Sequence, residues 1–380
     1  MITFEFPPQQ GGIGTYSFQI AKNLSLLGNK VIVLANTNSS DNIKIREFDE
    51  KQSFKIIRYK YAKSKLWKTL HRILFTIRIY KKEKFDLLFI PYPNAAVIGL
   101  LIKRIYGTPY VAVAHGGSEF LDNNYLLKQV IKYTYDRADI IFANSNYTKE
   151  IAQTNGIKNT QIITTFLGAD DLIYDYKFLN ENDLRKKYHL ENKKVVLTVG
   201  SLKRRKGHMY VIKAIDKLVR EIENLIYLIV GTGPEENELK NLVKEKGLEY
   251  NVRFEGYAGW EKLREYYSLC DLFILNSIAD DTGAKEGFGI VFLEANLMKK
   301  PVIGTKNSGI EDAIKHGKNG LLITEANTEA TYNALKLLLT NPNIAKRMGE
   351  YGYKRTKEEF TWKNIAKTTN QALIQILSES

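Results

Sequence analysis

Short apolar runs alternate along the chain with stretches in which apolar residues recur every three to four positions. This pattern predicts parallel sheets covered by helices. In the first half, Ile2–Phe6 reads as a strand, and Gly11, Gly12 and Gly14 punctuate the loop after it. Tyr16, Ile20, Leu24 and Leu27 then mark one face of a helix ending at Gly28-Asn29. Further strands are expected at Val31–Ala35, Leu87–Ile90, Tyr110–Ala114 and Asp139–Ala143. Only Met1 precedes the first strand, which implies either a poorly formed strand or a chain that begins earlier. The second half is more regular, with strands expected at Val195–Val199, Ile226–Val230, Val252–Phe254, Leu272–Leu275, Val302–Gly304 and Leu321–Ile323. Helical spacing separates them, as in Met209–Val219, where Ile212, Ile215 and Val219 share a face.

Each half therefore reads as a doubly wound α/β unit, whose strand carboxyl ends are where ligands bind. The polar stretch Asp170–Lys194 shows neither period and reads as the boundary. We expect a first domain over residues 1–172, a second over 173–358, and a terminal helix over 359–380 that returns to the first domain. A length of 380 residues agrees with two cores rather than one. The single cysteine, Cys270, excludes an intrachain disulfide and a cysteine-rich zinc site, and favours a reducing compartment. The start, MITFEFPPQQ, has no basic or apolar region of a secretory signal. Pro91, Pro93 and Asn94 interrupt the apolar run Leu87–Ile102, which is too short to span a bilayer. A soluble, cytoplasmic protein is expected.

Charge changes this picture. The net charge is +14, and between Lys55 and Lys84 stand eleven basic residues and one acidic residue. Within that segment Leu66, Leu70, Ile73, Leu74 and Ile77 recur at helical spacing, Lys65, Lys68 and Arg72 fall on another face, and Trp67 and Phe75 extend the apolar surface. A basic amphipathic helix of this kind belongs at an anionic membrane surface. The other reading is a helix packed on the sheet with a solvated basic side. No nucleic-acid-reading module accompanies the charge, so nucleic acid is not an expected partner.

Three clusters carry candidate chemistry. Gly11-Gly12-Ile13-Gly14 lies between a strand and a helix, where small residues admit a phosphate to free amides; a tight structural turn explains it equally well. It lacks the spacing of a dinucleotide fingerprint, because Pro7-Pro8-Gln9-Gln10 intervene. The run Lys203-Arg204-Arg205-Lys206-Gly207 follows a strand, where cations can neutralise a diphosphate or simply face water. Glu286-Gly287-Phe288-Gly289 precedes an apolar helix that contains Glu294. A carboxylate on such a segment needs a partner, either a sugar hydroxyl or a basic side chain. His115, between a strand and two glycines, is a ligand contact or a cap for backbone groups.

Taken together, PPQQGGIGTY near the start, AHGG at 114–117, VGSLKRRKG at 199–207, VGTGP at 230–234, VRFEGY at 252–257, EGFGIVFLEA at 286–295 and PVIGTKNSG at 301–309 resemble the retaining glycosyltransferases of family 4. The resemblance covers nearly the whole chain. It implies the GT-B fold, two doubly wound Rossmann-like domains facing a central cleft, and transfer of a hexose-type sugar from a nucleotide-diphosphate donor to a glycan or lipid-linked acceptor.

By the same resemblance Glu286 contacts the donor sugar together with the amides of Gly287, Phe288 and Gly289, Glu294 holds the ribose, and Lys206 holds the diphosphate. Gly12 and Gly14 belong to the loop over the diphosphate, His115 stands beside the sugar, and Gly256 and Tyr257 line the base pocket. Ser201 replaces an arginine usual in relatives, which leaves Arg205 or Arg204 as the second cation. No cofactor or metal is obligatory in this reading, and the enzyme is expected to be cytoplasmic, peripheral on the inner face of the plasma membrane. The alternatives are a nicotinamide-dependent sugar-nucleotide oxidoreductase or epimerase, and a non-catalytic protein that binds membranes through residues 55–84.

Overall fold

A computed structural model describes residues 1–8, 11–37, 42–60, 65–121, 124–170 and 179–379. The chain divides into two compact units, one of Met1–Leu167 with Trp362–Ser380 and one of Gly168–Thr361.

In unit 1, β1 (Ile32–Thr37) pairs with β2 (Lys55–Lys60), while β3 (Leu88–Ile90), β4 (Tyr110–Ala114), β5 (Ile140–Ala143) and β6 (Gln161–Thr164) form a parallel sheet in that order. The expected strand Ile2–Phe6 is reduced to a bridge at Ile2, but it does not lie at an edge. Ile2 N–H donates to Phe89 O at 2.9 Å and Leu34 N–H to Met1 O at 2.9 Å, so this short segment joins β1 to β3. Pro7-Pro8 soon follows, and proline has no N–H to extend a ladder. Both β2 and β6 were missed in the sequence. The first hides in the basic segment, and the second is a four-residue strand with a polar end.

Chain order and right-handed crossovers put the helices Lys65–Glu83, Ala96–Tyr106 and Tyr125–Tyr135 on one face of this sheet, and Gly12–Leu26 on the other. The final helix, Trp362–Glu379, belongs to unit 1, with Trp362 edge-on to Tyr16 at 6.0 Å and Asn370 bonded to Asn29 at 2.9 Å.

In unit 2, β7 (Lys194–Val199), β8 (Leu225–Val230), β9 (Val252–Gly256), β10 (Leu272–Leu275), β11 (Val302–Thr305) and β12 (Gly320–Ile323) form one parallel sheet in the order β12-β11-β10-β7-β8-β9. Covered on both faces, its strands are apolar without alternation, as in the wholly buried LIYLIV of β8. The helix His208–Leu218 turns Val211, Ile212, Ile215 and Leu218 into the core shared with these strands. The presumed irregular boundary contains a helix, Glu181–Lys187, capped by Asn180; its seven residues are too short and polar to show a period. Gln9, Gln10 and residues 171–178 of that boundary lie outside the described residues, as do the side chains of Lys65, Leu66, Trp67 and Lys68. Among the described residues no helix is long and apolar enough to cross a membrane.

Candidate active site

In unit 2, β7 and β10 are neighbours, yet the chain leaves β7 toward β8 on one side and β10 toward β11 on the other. Their carboxyl ends therefore flank the switch point at which open α/β sheets take ligands. Two of the sequence clusters follow these two strands. After β7, Arg204–Lys206 form a single turn of 3₁₀ helix closed by Gly207 at φ 64°. A Cβ on Gly207 would stand 1.8 Å from Asn276 O at the end of β10, so only glycine lets the turn abut that strand. Arg205 O accepts the Ile278 N–H at 2.8 Å, which ties the turn to the chain after β10.

The turn aims two cations at one carboxylate. Lys206 Nζ donates to Glu286 Oε2, and Arg205 Nη1 lies 3.3 Å from the same oxygen. The side chains of Lys206 and Glu286 are only 12% and 13% exposed, against 35% for Arg205. Burial, the largest single influence, pushes the Glu286 carboxyl pKa upward, but Lys206 and Arg205 together outweigh it and hold the group below its ordinary value. Arg205 thus stands as a second cation of this cluster.

Glu286 is also held from behind. Its carbonyl accepts the Gly309 N–H at 3.0 Å, Lys285 pairs with Glu325 at 2.7 Å, and Glu325 Oε2 accepts the Ala279 N–H at 3.2 Å. Glu325 was not singled out in the sequence, because its partners lie some forty residues away with no motif between them. Gly287 and Gly289 lead into the helix Ile290–Leu297, Gly289 at φ 87°. The Phe288 ring is buried against Phe360 at 5.8 Å, so what Phe288 can present to a ligand is its main chain. One turn into the helix, Glu294 Oε2 accepts a 2.7 Å hydrogen bond from Tyr267 Oη. Nothing in the sequence singled out Tyr267. Cys270, the lone cysteine, is buried, with its thiol pushed up to about 12. Gly256, at φ 67°, ends the edge strand β9, which β8 separates from β7, and the exposed Tyr257 follows it. Gly256 O accepts the Gly231 N–H at 2.8 Å.

Unit 1 has its own switch point, between the bridge at Ile2 and β3. Gly12 begins the helix Gly12–Leu26, and a Cβ on it would meet nothing within 4 Å. Gly14 N–H donates to Glu5 Oε1 at 3.2 Å, and a side chain on Gly11 would overlap that carboxylate. Burial raises the Glu5 pKa, and the Gly14 N–H offsets part of the rise. His115, just past β4, donates its main-chain N–H to Glu119 Oε1 at 2.9 Å, and its Nε2 lies 2.7 Å from Pro91 O at the end of β3. A carbonyl can only accept, so Nε2 carries the proton and Nδ1 is left as an acceptor. Burial lowers the imidazole pKa to about 4, which keeps the ring neutral at pH 7. Tyr16 meets it edge-on at 5.1 Å. Glu119 stands four residues after His115, a spacing visible in the sequence; nothing there tied Tyr16, read only as part of a helix face, to His115, or Glu5 to the glycine turn.

Two family models match the chain in succession, Glycosyltransferase Family 4 over residues 10–171 and Glycosyl transferases group 1 over residues 180–355. N-acetyl-alpha-D-glucosaminyl L-malate synthase of Bacillus anthracis is 28% identical over 297 residues, 76% of this chain and 74% of that protein. The GDP-mannose-dependent alpha-(1-6)-phosphatidylinositol monomannoside mannosyltransferase of Mycobacterium tuberculosis is 24% identical over 373 residues, 96% and 95% of the two chains. The crystal structure of Anabaena HepE in complex with UDP superposes with a TM-score of 0.84 at 20% identity, covering 98% of this chain and 99% of that one, a likeness of fold. The chain belongs to glycosyltransferase family 4 and has the GT-B fold of two Rossmann-like domains.

Proposed function

We propose that this glycosyltransferase moves a hexose-type sugar from a nucleotide-diphosphate donor to a glycan or lipid-linked acceptor, with retention of anomeric configuration. The observation that carries the reading is the convergence of Arg205 and Lys206 on Glu286 at the switch point of the six-stranded sheet. As the bond from sugar to diphosphate breaks, negative charge grows on the leaving group. Lys206, Arg205 and the amides of Gly287 and Gly289 are assigned in this reading as the donors to that charge, and fixed donors need no reorganisation when it forms. Glu286 and His115 orient the sugar, and Glu294, steadied by Tyr267, takes the ribose hydroxyls. Gly256 and Tyr257 receive the base, while Gly12 and Gly14 bring main-chain amides to the diphosphate. The relatives lend support: one is named as dependent on GDP-mannose, and the Anabaena structure holds UDP.

Thermal shift with UDP, GDP and ADP and their sugars identifies the donor, since a bound ligand raises apparent stability. For the nucleotide so identified, Glu294→Ala is expected to weaken affinity about tenfold or more, the loss of hydrogen bonds to a charged group. Unaltered affinity in calorimetry removes Glu294 from the ribose. At Gly12 the open surroundings make a second test selective. Gly12→Val should leave folding stability within about 0.5 kcal/mol, yet lower kcat/KM at least tenfold by filling the space a phosphate needs. A variant with both quantities unchanged makes the glycine turn merely structural.

This reading includes peripheral attachment to the cytoplasmic face of the plasma membrane through the basic segment 55–84. Its described part is divided. Ile73 and Ile77 pack on the unit 1 core, whereas Leu70, Leu74, Arg78, Lys81 and Lys82 are exposed. Several of its cations are engaged within the fold: Lys55 pairs with Glu83, Arg58 with Asp49, and Arg72 lies 3.6 Å over the Phe4 ring.

A further inference from the structure

The helix Tyr125–Tyr135 is apolar on two faces. Leu127, Ile131 and Tyr135 face the core of unit 1, but Leu126, Val130 and Tyr133 recur at i, i+4 and i+7 on the outside, with Leu126 76% exposed. An outward apolar stripe on a helix whose inner face is already buried calls for something to cover it. The two neighbouring helices repeat the arrangement. Lys65–Glu83 exposes Leu70 and Leu74 followed by Arg78, and Ala96–Tyr106 exposes Arg104 and Ile105. All three lie on the same face of the sheet. Between Ala96–Tyr106 and Tyr125–Tyr135 runs an open groove of about 600 Å³, lined by Val97, Leu100, Val130, Tyr133, Lys132 and Arg137, with Asp136, whose carboxylate accepts the main-chain N–H groups of Lys158 and Asn159, also at its wall.

Cations dress this apolar surface. Arg104 donates to Tyr133 Oη at 2.7 Å, and the Arg137 guanidinium sits 3.5 Å from the centre of the Tyr133 ring. The three helices carry ten lysines and arginines and one acid, Glu83, which is bonded to Lys55. A second copy of this face would bring like charges together. A nucleic acid offers phosphates but nothing for Leu126, Val130, Ile105, Leu70 and Leu74. An anionic bilayer satisfies both sets, with phosphates for the cations and an acyl boundary for the aliphatic side chains.

We propose that the three-helix face, centred on Tyr125–Tyr135 rather than confined to residues 55–84, is the surface by which this protein lies on an anionic membrane. The proposal rests on the peripheral attachment stated above, and the experiment separates the two. The full-length protein is sedimented with vesicles of phosphatidylcholine alone and of phosphatidylcholine with about one third phosphatidylglycerol, which supplies the anionic surface that basic residues recognise. The wild type is expected to partition onto the anionic vesicles only, and less at high salt. Leu126→Ser with Val130→Ser should lower that partition at least tenfold, while nucleotide-diphosphate affinity, read at unit 2, stays unchanged. Arg104→Ser with Lys128→Ser should lower it about 25-fold, at roughly fivefold per cation. Wild-type protein that ignores anionic vesicles overturns membrane attachment altogether. Wild-type protein that binds them while both double variants bind equally well overturns this face alone. A dimer in sedimentation equilibrium that the Leu126→Ser, Val130→Ser variant dissociates assigns the face to a second copy of the chain, and overturns it too.

Discussion

Lys206→Ala is expected to lower kcat by roughly 10²–10³, the loss that follows removal of one charge-stabilising donor from an active site. The reason lies in where the ammonium sits. It is nearly buried, beside a carboxylate whose pKa burial alone pushes upward. A buried cation is worth more to a developing diphosphate charge than one in water, because little solvent screens it. The same variant has a second consequence. With Lys206 gone, Arg205 alone opposes the burial of Glu286, so the Glu286 pKa should rise and the acid limb of kcat/KM should move to higher pH. Removing one partner of a buried pair also costs about 3–5 kcal/mol of stability, so melting curves accompany the kinetics. A folded Lys206→Ala protein with unchanged kcat ends the proposed role of this lysine. Lys206→Arg keeps the charge but not the shape, and should recover part of the rate.

The parts of this arrangement that could be read in the sequence are those set by local chemistry. Buried parallel strands are continuous apolar runs, so β4 and β10 were found to the residue, and the basic run after β7 was legible as one that meets either a diphosphate or water. The segment at Ile2 could not be placed, because its role depends on β1 and β3 arriving on either side. The bond from Tyr267 to Glu294 and the clamp of Glu325 on the chain before Glu286 join residues that share no motif; only the packed fold brings them together. Charge counting misled in a specific way. Arg58 is one of the eleven basic residues counted between Lys55 and Lys84, but it pairs with Asp49 and donates to the carbonyl of Asn36 at 3.3 Å, so it is part of the fold's own hydrogen bonding. The outward stripe at Leu126, Val130 and Tyr133 was visible in principle, yet an amphipathic period looks the same whichever way the helix is turned.

Glu286→Gln should separate binding from chemistry. The amide keeps the size of the carboxylate but removes the charge that neutralises Lys206 and Arg205. Free nucleotide diphosphate is then expected to bind more tightly than to the wild type, while kcat falls by about 10²-fold because the sugar loses its charged acceptor. The pH dependence follows from the direction of the Glu286 shift. Its pKa is depressed in the folded protein, so the pair's contribution is fully present above the ordinary carboxylate range and is lost as pH falls through the depressed value. Wild-type donor binding should hold down to that range and then change, whereas Glu286→Gln should show no such transition. Combining Glu286→Gln with Lys206→Ala gives the last discrimination. Side chains that share a bond act as a unit, so the double variant should lose less rate than the product of the single losses, by an interaction term of about 0.5–3 kcal/mol. Simple additivity, or weaker nucleotide binding in Glu286→Gln, means that the carboxylate and the ammonium do not work on one substrate, and the assignment of this cluster to diphosphate release falls with that result.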